Sequence, residues 1–287
     1  LPVTNTNDEL VGIVSLRALL IGLSEETVSD TMKQKVAAVH SDTDREQVAR
    51  EFDRYGYEML PVIDSSNRLL GIITVDDVID IIEEEQTEDV QKTVGAGAGE
   101  AVYSGLAEKL KGRMPWLIVS AIMMLPATYI VLGFESLIRE VALLAVFMPL
   151  IAALAGNAGH QALAVTLRGI VLDEVRRDRI LPLMRRELLV GLVAGITIGG
   201  CVALLLSIFG NEEIATRLGL IVACAMIVSM GIGTFTGAAI PLIMRRLGAD
   251  PAQASAIFLI MVTDAVAFST LLGFAYIGLT WMQGTTT

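Results

Sequence analysis

The sequence predicts an α-helical membrane protein with five transmembrane helices and an N-terminal α+β region, and three observations lead there. From about residue 114 onward there are five apolar stretches, each long enough to cross a bilayer. Residues 1–91 instead repeat a strand, turn, strand, helix pattern. Charge divides along the same line: the first hundred of the 287 residues hold 8 Lys and Arg against 21 Asp and Glu, and the rest hold 13 against 11. With 53% hydrophobic residues the chain is too apolar for an ordinary soluble domain. Its acidic first part repels phosphate backbones and attracts cations, which argues against nucleic acid as a partner.

The repeat has an offset of 59 residues: LPVTNTNDELVGI (Leu1–Ile13) matches LPVIDSSNRLLGI (Leu60–Ile72). Alternating apolar residues around Asn5–Glu9 and Asp64–Arg68 mark two hairpins. The second is preceded by a helical stretch, Asp44–Tyr57, with Val48, Phe52 and Tyr55 expected on one buried face. The first has nothing upstream of Leu1, so this copy reads as partial. Leu1–Asn7 has neither the basic nor the apolar segment of a signal peptide. The expected divisions are 1–27 and 28–91 for the two copies, 92–113 for a linker and connecting helix, and 114–287 for the membrane part.

An acidic run closes the second copy. Asp76, Asp77, Asp80, Glu83, Glu84, Glu85, Glu88 and Asp89 carry no interleaved Lys or Arg. Val75, Val78, Ile79 and Ile82 are expected to anchor the run as a helix. Like charges at i, i+3 and i+4 each destabilise a helix by about 0.2–0.5 kcal/mol unless neutralised. Hard divalent cations, which take oxygen ligands, are the natural neutraliser. Thr93–Gly99 reads as a flexible linker, and Glu100–Gly112 as a short amphipathic helix.

The expected spans are Met114–Leu132, Leu137–Leu154 continuing to Leu172, Leu188–Phe209, Leu218–Ile243 and Ser255–Thr280. Eleven basic residues (Lys109, Lys111, Arg113, Arg168, Arg176, Arg177, Arg179, Arg185, Arg186, Arg245, Arg246) fall on one side, against Arg139 and Arg217 on the other. This excess sets the N-terminus in the cytoplasm and the C-terminus outside. Gly191, Gly195 and Gly199, and separately Gly233 and Gly237, have the spacing of close helix contacts. Pro126, Pro149 and Pro241 are expected to kink or end helices. Cys201 and Cys224 read as small buried hydrophobes.

Two features of these spans point to ions. Asp264 lies ten residues into the last span, where a carboxylate costs about 2.5–3.5 kcal/mol on insertion scales and faces a partner, water or an ion. The bland reading is a cap by the hydroxyl of Thr263 or Thr270. Asn157, His160 and Gln161 put three polar side chains at the centre of the second span, fitting either a pore lining or helix glue. His160 has no second His or Cys placed to complete a transition-metal site.

Two resemblances follow from these residues. Val28–Glu85, with SDTM, REFDRYGYEMLPVID and GIITVDDVIDII, resembles a CBS domain, which implies a paired regulatory module. It also implies an adenosine-nucleotide site at Thr74 and Asp77; the first copy has Ser15 and Ala18 there. With GFES (Gly133–Ser136), GNAGHQ (Gly156–Gln161), PLIMRRLGADPA (Pro241–Ala252) and TDAVAF (Thr263–Phe268), nearly the whole chain resembles the MgtE family of magnesium channels. That resemblance implies a homodimer in the plasma membrane whose pore holds hydrated Mg²⁺ beside Asp264. It also implies cytosolic Mg²⁺ sensing by Asp77, Asp80, Glu85, Glu88 and Asp89, with Asp44 and Glu46. Departures are Ala155 and Ala267, where the family often has Gly, and the absence of an acidic N-terminal helical domain. Alternatives are transport of Co²⁺, Ni²⁺ or Mn²⁺, a membrane-tethered nucleotide sensor, and an intramembrane enzyme using Asp264 and His160. The last lacks any nucleophile–base pairing.

Overall fold

In the computed structural model, which describes residues 1–22, 25–97, 99–209, 213–253 and 255–284, the two repeat copies fold alike. The first forms β1 (Pro2–Thr4), β2 (Leu10–Ile13) and α1 (Leu16–Ile21). The second forms α2 (Val28–Thr31), β3 (Val39–His40), α3 (Arg45–Tyr55), β4 (Met59–Ile63), β5 (Leu69–Thr74) and α4 (Val75–Thr93). β1 and β2 pair antiparallel; β4 lies between β3, parallel, and β5, antiparallel. The repeat extends to irregularities. Both hairpins shift register at equivalent places, Val3/Thr4 and Val62/Ile63. Asp8 and Asn67, 59 residues apart, both have a φ of 61°, a left-handed conformation that short polar side chains tolerate. The two turns also bond to each other: Leu10 N–H donates to Asn67 O at 2.9 Å and Leu69 N–H to Asp8 O at 2.8 Å.

Leu1–Glu88 forms one compact unit. Its core gathers Val39, Val48, Ala49, Phe52, Leu60 and Val78, each large apolar side chain contributing about 1.5–3 kcal/mol. Two expectations fail here. Tyr55 is exposed and Ala49 takes its place, because the buried arc of α3 is narrow and Tyr55 lies at its edge. On α4, Val78 is buried and Ile81 packs beside it, while Val75, Ile79 and Ile82 are exposed.

Asp89–Thr287 forms the second unit. The expected linker, in which Ala98 lies outside the described residues, turns at Gly95 and is clipped in place. The Gln91 side chain donates to Glu100 O at 2.8 Å, and Glu100 pairs with Arg113. The amphipathic helix expected from Glu100 begins instead at Leu106 and runs without a break into the first span, α5 (Leu106–Met123). α6 (Leu125–Gly133) continues the crossing after a bend at Pro126, which needs no N–H at the start of a helix. Then follow α7 (Glu135–Glu140), α8 (Leu143–Val171), a single 3-10 turn at Arg177–Arg179, α9 (Ile180–Phe209), α10 (Glu213–Arg246) and α11 (Ser255–Gly284). Among the described residues, five helical segments are long and apolar enough to span a membrane.

α10 is central, and glycines seat it on both sides. Towards α9, a Cβ at Gly195 would stand 2.5 Å from Ile227 Cα and one at Gly199 would stand 3.0 Å from Ala223 Cα. Towards α8, a Cβ at Gly233 would stand 2.6 Å from Ala155 O, and one at Gly237 would strike Gly159 O. The pairings run antiparallel with α9 and parallel with α8. Cys201 and Cys224 are exposed on α9 and α10 rather than buried: outward faces of membrane spans are as apolar as inward ones, so hydropathy does not separate them.

Candidate functional site

Asp264 sits half-buried on α11. Neither neighbouring hydroxyl caps it. Thr263 Oγ1 donates to the carbonyl of Leu259 at 3.0 Å or Ile260 at 3.1 Å. Thr270 Oγ1 donates to Val266 O at 2.8 Å and lies 2.8 Å from Ser229 Oγ on α10. Among the described residues the Asp264 carboxylate has neither hydrogen bond nor ion pair. A carboxylate at membrane depth left in that condition is suited to a hydrated cation. The Ser229–Thr270 contact was not foreseen; two hydroxyls 41 residues apart in sequence give no local signal.

α8 meets α11 beside this carboxylate. A Cβ on Gly156 would stand 3.8 Å from Thr263 Oγ1, so Asn157 and Asp264 each follow directly on that approach. Asn157 and Gln161, one turn apart, are both exposed on α8. His160 turns back along its own helix, its Nδ1 2.8 Å from Gly156 O. A carbonyl only accepts, so Nδ1 carries the proton, and in the neutral ring Nε2 is then the acceptor.

The acids of α4 are arranged differently. Asp77 accepts from Thr74 N–H at 2.8 Å and Thr74 Oγ1 at 2.7 Å, closing the first turn as a capping carboxylate does. Those two bonds, the hydroxyl's first, hold the Asp77 carboxyl below its usual range. Asp44 caps α3 by accepting from Glu46 N–H at 2.9 Å, and Glu46 pairs with Arg50 at 2.6 Å. Arg45 reaches across to α4, 3.1 Å from Glu84 and 3.7 Å from Glu85. The run therefore borrows a base from 39 residues away. Asp80 is exposed and Glu88 and Asp89 are partly buried. Among the described residues no three acidic, His or Cys side chains converge tightly enough to hold a metal ion.

Membrane-length helices that follow an α+β region in the chain, with a lone carboxylate a third of the way along the last of them, define a multi-pass helical membrane protein. Residues 148–274 match the MgtE family model, a divalent cation transporter, and residues 28–84 match the CBS domain. The chain is 34% identical over 273 residues to the magnesium transporter MgtE of Bacillus subtilis, covering 95% of this chain and 60% of that protein. Its identity to the proteins of the same name is 33% in Enterococcus faecalis and 31% in Thermus thermophilus, over 91% and 88% of this chain and 57% and 56% of theirs. The chain is thus similar to these magnesium transporters over 88–95% of its own length, and to the MgtE family model over residues 148–274. It spans a little under two thirds of the length of these relatives.

Proposed function

We propose that the chain imports Mg²⁺ across the plasma membrane as a homodimer, with its N-terminus in the cytoplasm and its C-terminus outside. The observation that carries this reading is the unpartnered, half-buried Asp264 on α11, in a chain whose relatives are named magnesium transporters. Mg²⁺ releases its waters reluctantly, so Asp264 receives a largely hydrated ion, with Asn157 on α8 lining the same path. One Asp264 from each of two copies balances the ion's charge. An inside-negative potential favours entry by about 2.3 kcal/mol per charge per 100 mV, which a divalent cation feels twice. In this reading internal Mg²⁺ is sensed by Asp80, Glu85, Glu88 and Asp89 along α4. Asp77, Asp44 and Glu46 contribute only through the oxygens their caps and pairs leave free. An adenosine nucleotide at Thr74 and Asp77 belongs to the same proposal, and has to compete with the bonds these two make to each other.

The test is flux into liposomes. Attraction between a carboxylate and a divalent ion about 5 Å away is roughly 7 kcal/mol at an effective dielectric of 20, so Asp264→Asn lowers Mg²⁺ flux at least about tenfold. Wild-type flux in that variant overturns the reading. A second reading, transport of Co²⁺, Ni²⁺ or Mn²⁺, is favoured by the His160 Nε2 left free to accept. Flux of those ions above that of Mg²⁺, lost in His160→Ala, would select it.

A further inference from the structure

At one end of the bundle, the last turns of α8 and α10 and the first turns of α9 close on one apolar cluster. It consists of Met184, Ala238 and Leu242, with Ile170, Val175 and Ile180 packed against it. The cluster gathers arginines that lie far apart in the chain. Arg168 ends α8, Arg176 and Arg179 lie in the connection, Arg185 and Arg186 follow Met184, and Arg245 and Arg246 end α10. All seven are exposed. Two are tied to carboxylates, Arg176 to Asp178 and Arg245 to Asp173, both at 3.3 Å. Arg168, Arg179, Arg185, Arg186 and Arg246 have no carboxylate partner among the described residues. Glu174 and Glu187 also lie at this end, as does Asp250, which pairs with Lys92 at 3.4 Å.

The surface adjoining these guanidinium groups is apolar. Val171, Leu172, Leu181 and Leu189 are each more than half exposed. A guanidinium binds phosphate through two parallel N–H donors, and the apolar surface beside it accepts acyl chains. A free phosphate satisfies only the first of these; a phosphate carrying two acyl chains satisfies both. We propose that this end of the α8–α9–α10 bundle is a binding site for an anionic phospholipid, its headgroup phosphate held by Arg179, Arg185 and Arg186 with Arg168 and Arg246 beside them. Arg245–Asp173 keeps α10 against the connection and so holds the group together. The site stands apart from Asp264 and does not depend on what the bundle conducts.

The full chain is reconstituted in nanodiscs of phosphatidylcholine with an equal share of phosphatidylglycerol. The lipid retained on the extracted protein is quantified by mass spectrometry. Each arginine near a membrane surface changes relative affinity for an anionic lipid about fivefold, so Arg179→Gln/Arg185→Gln/Arg186→Gln loses the phosphatidylglycerol enrichment of the wild type about a hundredfold. A control with equal charge loss in the soluble unit, Arg50→Gln/Arg54→Gln/Arg68→Gln, keeps it. Equal enrichment in wild type and site variant overturns the proposal. So does equal loss in the control, which makes the effect one of net charge. Stabilisation of the wild type by millimolar inorganic phosphate in pure phosphatidylcholine discs, matching that by phosphatidylglycerol, also overturns it in favour of a free-anion site. Should the triple variant fail to fold, Arg185→Gln alone is read against the fivefold expectation.

Discussion

At Asp77 the Thr74 amide and hydroxyl both donate to one carboxylate oxygen and hold the carboxyl below its usual range. A carboxyl depressed in the folded state contributes stability that is complete above its unfolded value, near pH 4. That contribution is lost as pH falls through the lower folded value. Thr74→Val removes the larger of the two causes, so the Asp77 titration midpoint rises and acid unfolding of Leu1–Glu88 begins at a higher pH. Carbon-13 NMR of the Asp77 carboxyl reads the midpoint directly, and an unchanged value would assign the shift elsewhere. Asn157 presents a different choice. If its exposed amide lines a path, Asn157→Leu blocks flux and leaves detergent-stable dimer yield intact; if it glues helices, dimer yield falls first. Both quantities are measured on one preparation.

Among the helices, α10 depends most on what its neighbours lack. A Cβ at Gly237 strikes the carbonyl oxygen of Gly159, a backbone atom that moves only with its helix. Overpacking of this kind costs about 1–3 kcal/mol or more, so Gly237→Ala lowers the folded yield and the thermal midpoint in detergent. Gly273 on α11 has nothing within 4 Å of a Cβ. Gly273→Ala is therefore neutral or stabilising, since alanine favours a helix by up to about 1 kcal/mol over glycine. Equal midpoints for the two variants would remove the seat. The spacing of these glycines was legible in the sequence because it is local. The exposed faces were not: lipid and protein interior are both apolar, so Cys201 and Cys224 gave no sign of pointing outward. α4 misled for a related reason. It carries apolar residues on two faces, and only Val78 with Ile81 meets the core.

For the whole chain, the order soluble region then five spans followed from composition alone, and the repeat at 59 residues fixed the two hairpins down to their turns. What one helix borrows from another was out of reach. Arg45 neutralises part of the acidic run from a distant helix, and Ser229 meets Thr270 across two spans. If cations act through α4, neutralising Asp80, Glu85, Glu88 and Asp89 to Asn or Gln must flatten the dependence on internal Mg²⁺, because a ligand shifts an equilibrium only by its differential affinity. Protease protection of Thr93–Gly99, titrated with Mg²⁺ through the millimolar range, tests this. Identical protection in wild type and variant would leave the run as a solvated face.

The glycine seat also has a consequence for the growing chain. Gly159 on α8 is made about 80 residues before Gly237, the partner whose missing side chain it needs. At about 5–20 residues per second, α8 waits in the bilayer for roughly 4–16 s before α10 arrives. During that interval its Ala155 and Gly159 face, with Asn157 and Gln161 one face over, is open to any other helix with small residues at the same spacing. α9 and α10, adjacent in sequence and antiparallel, meet as soon as both have emerged. Until α10 emerges, neither α8 nor α9 has the neighbour its glycines are spaced for, so the bundle waits on one helix.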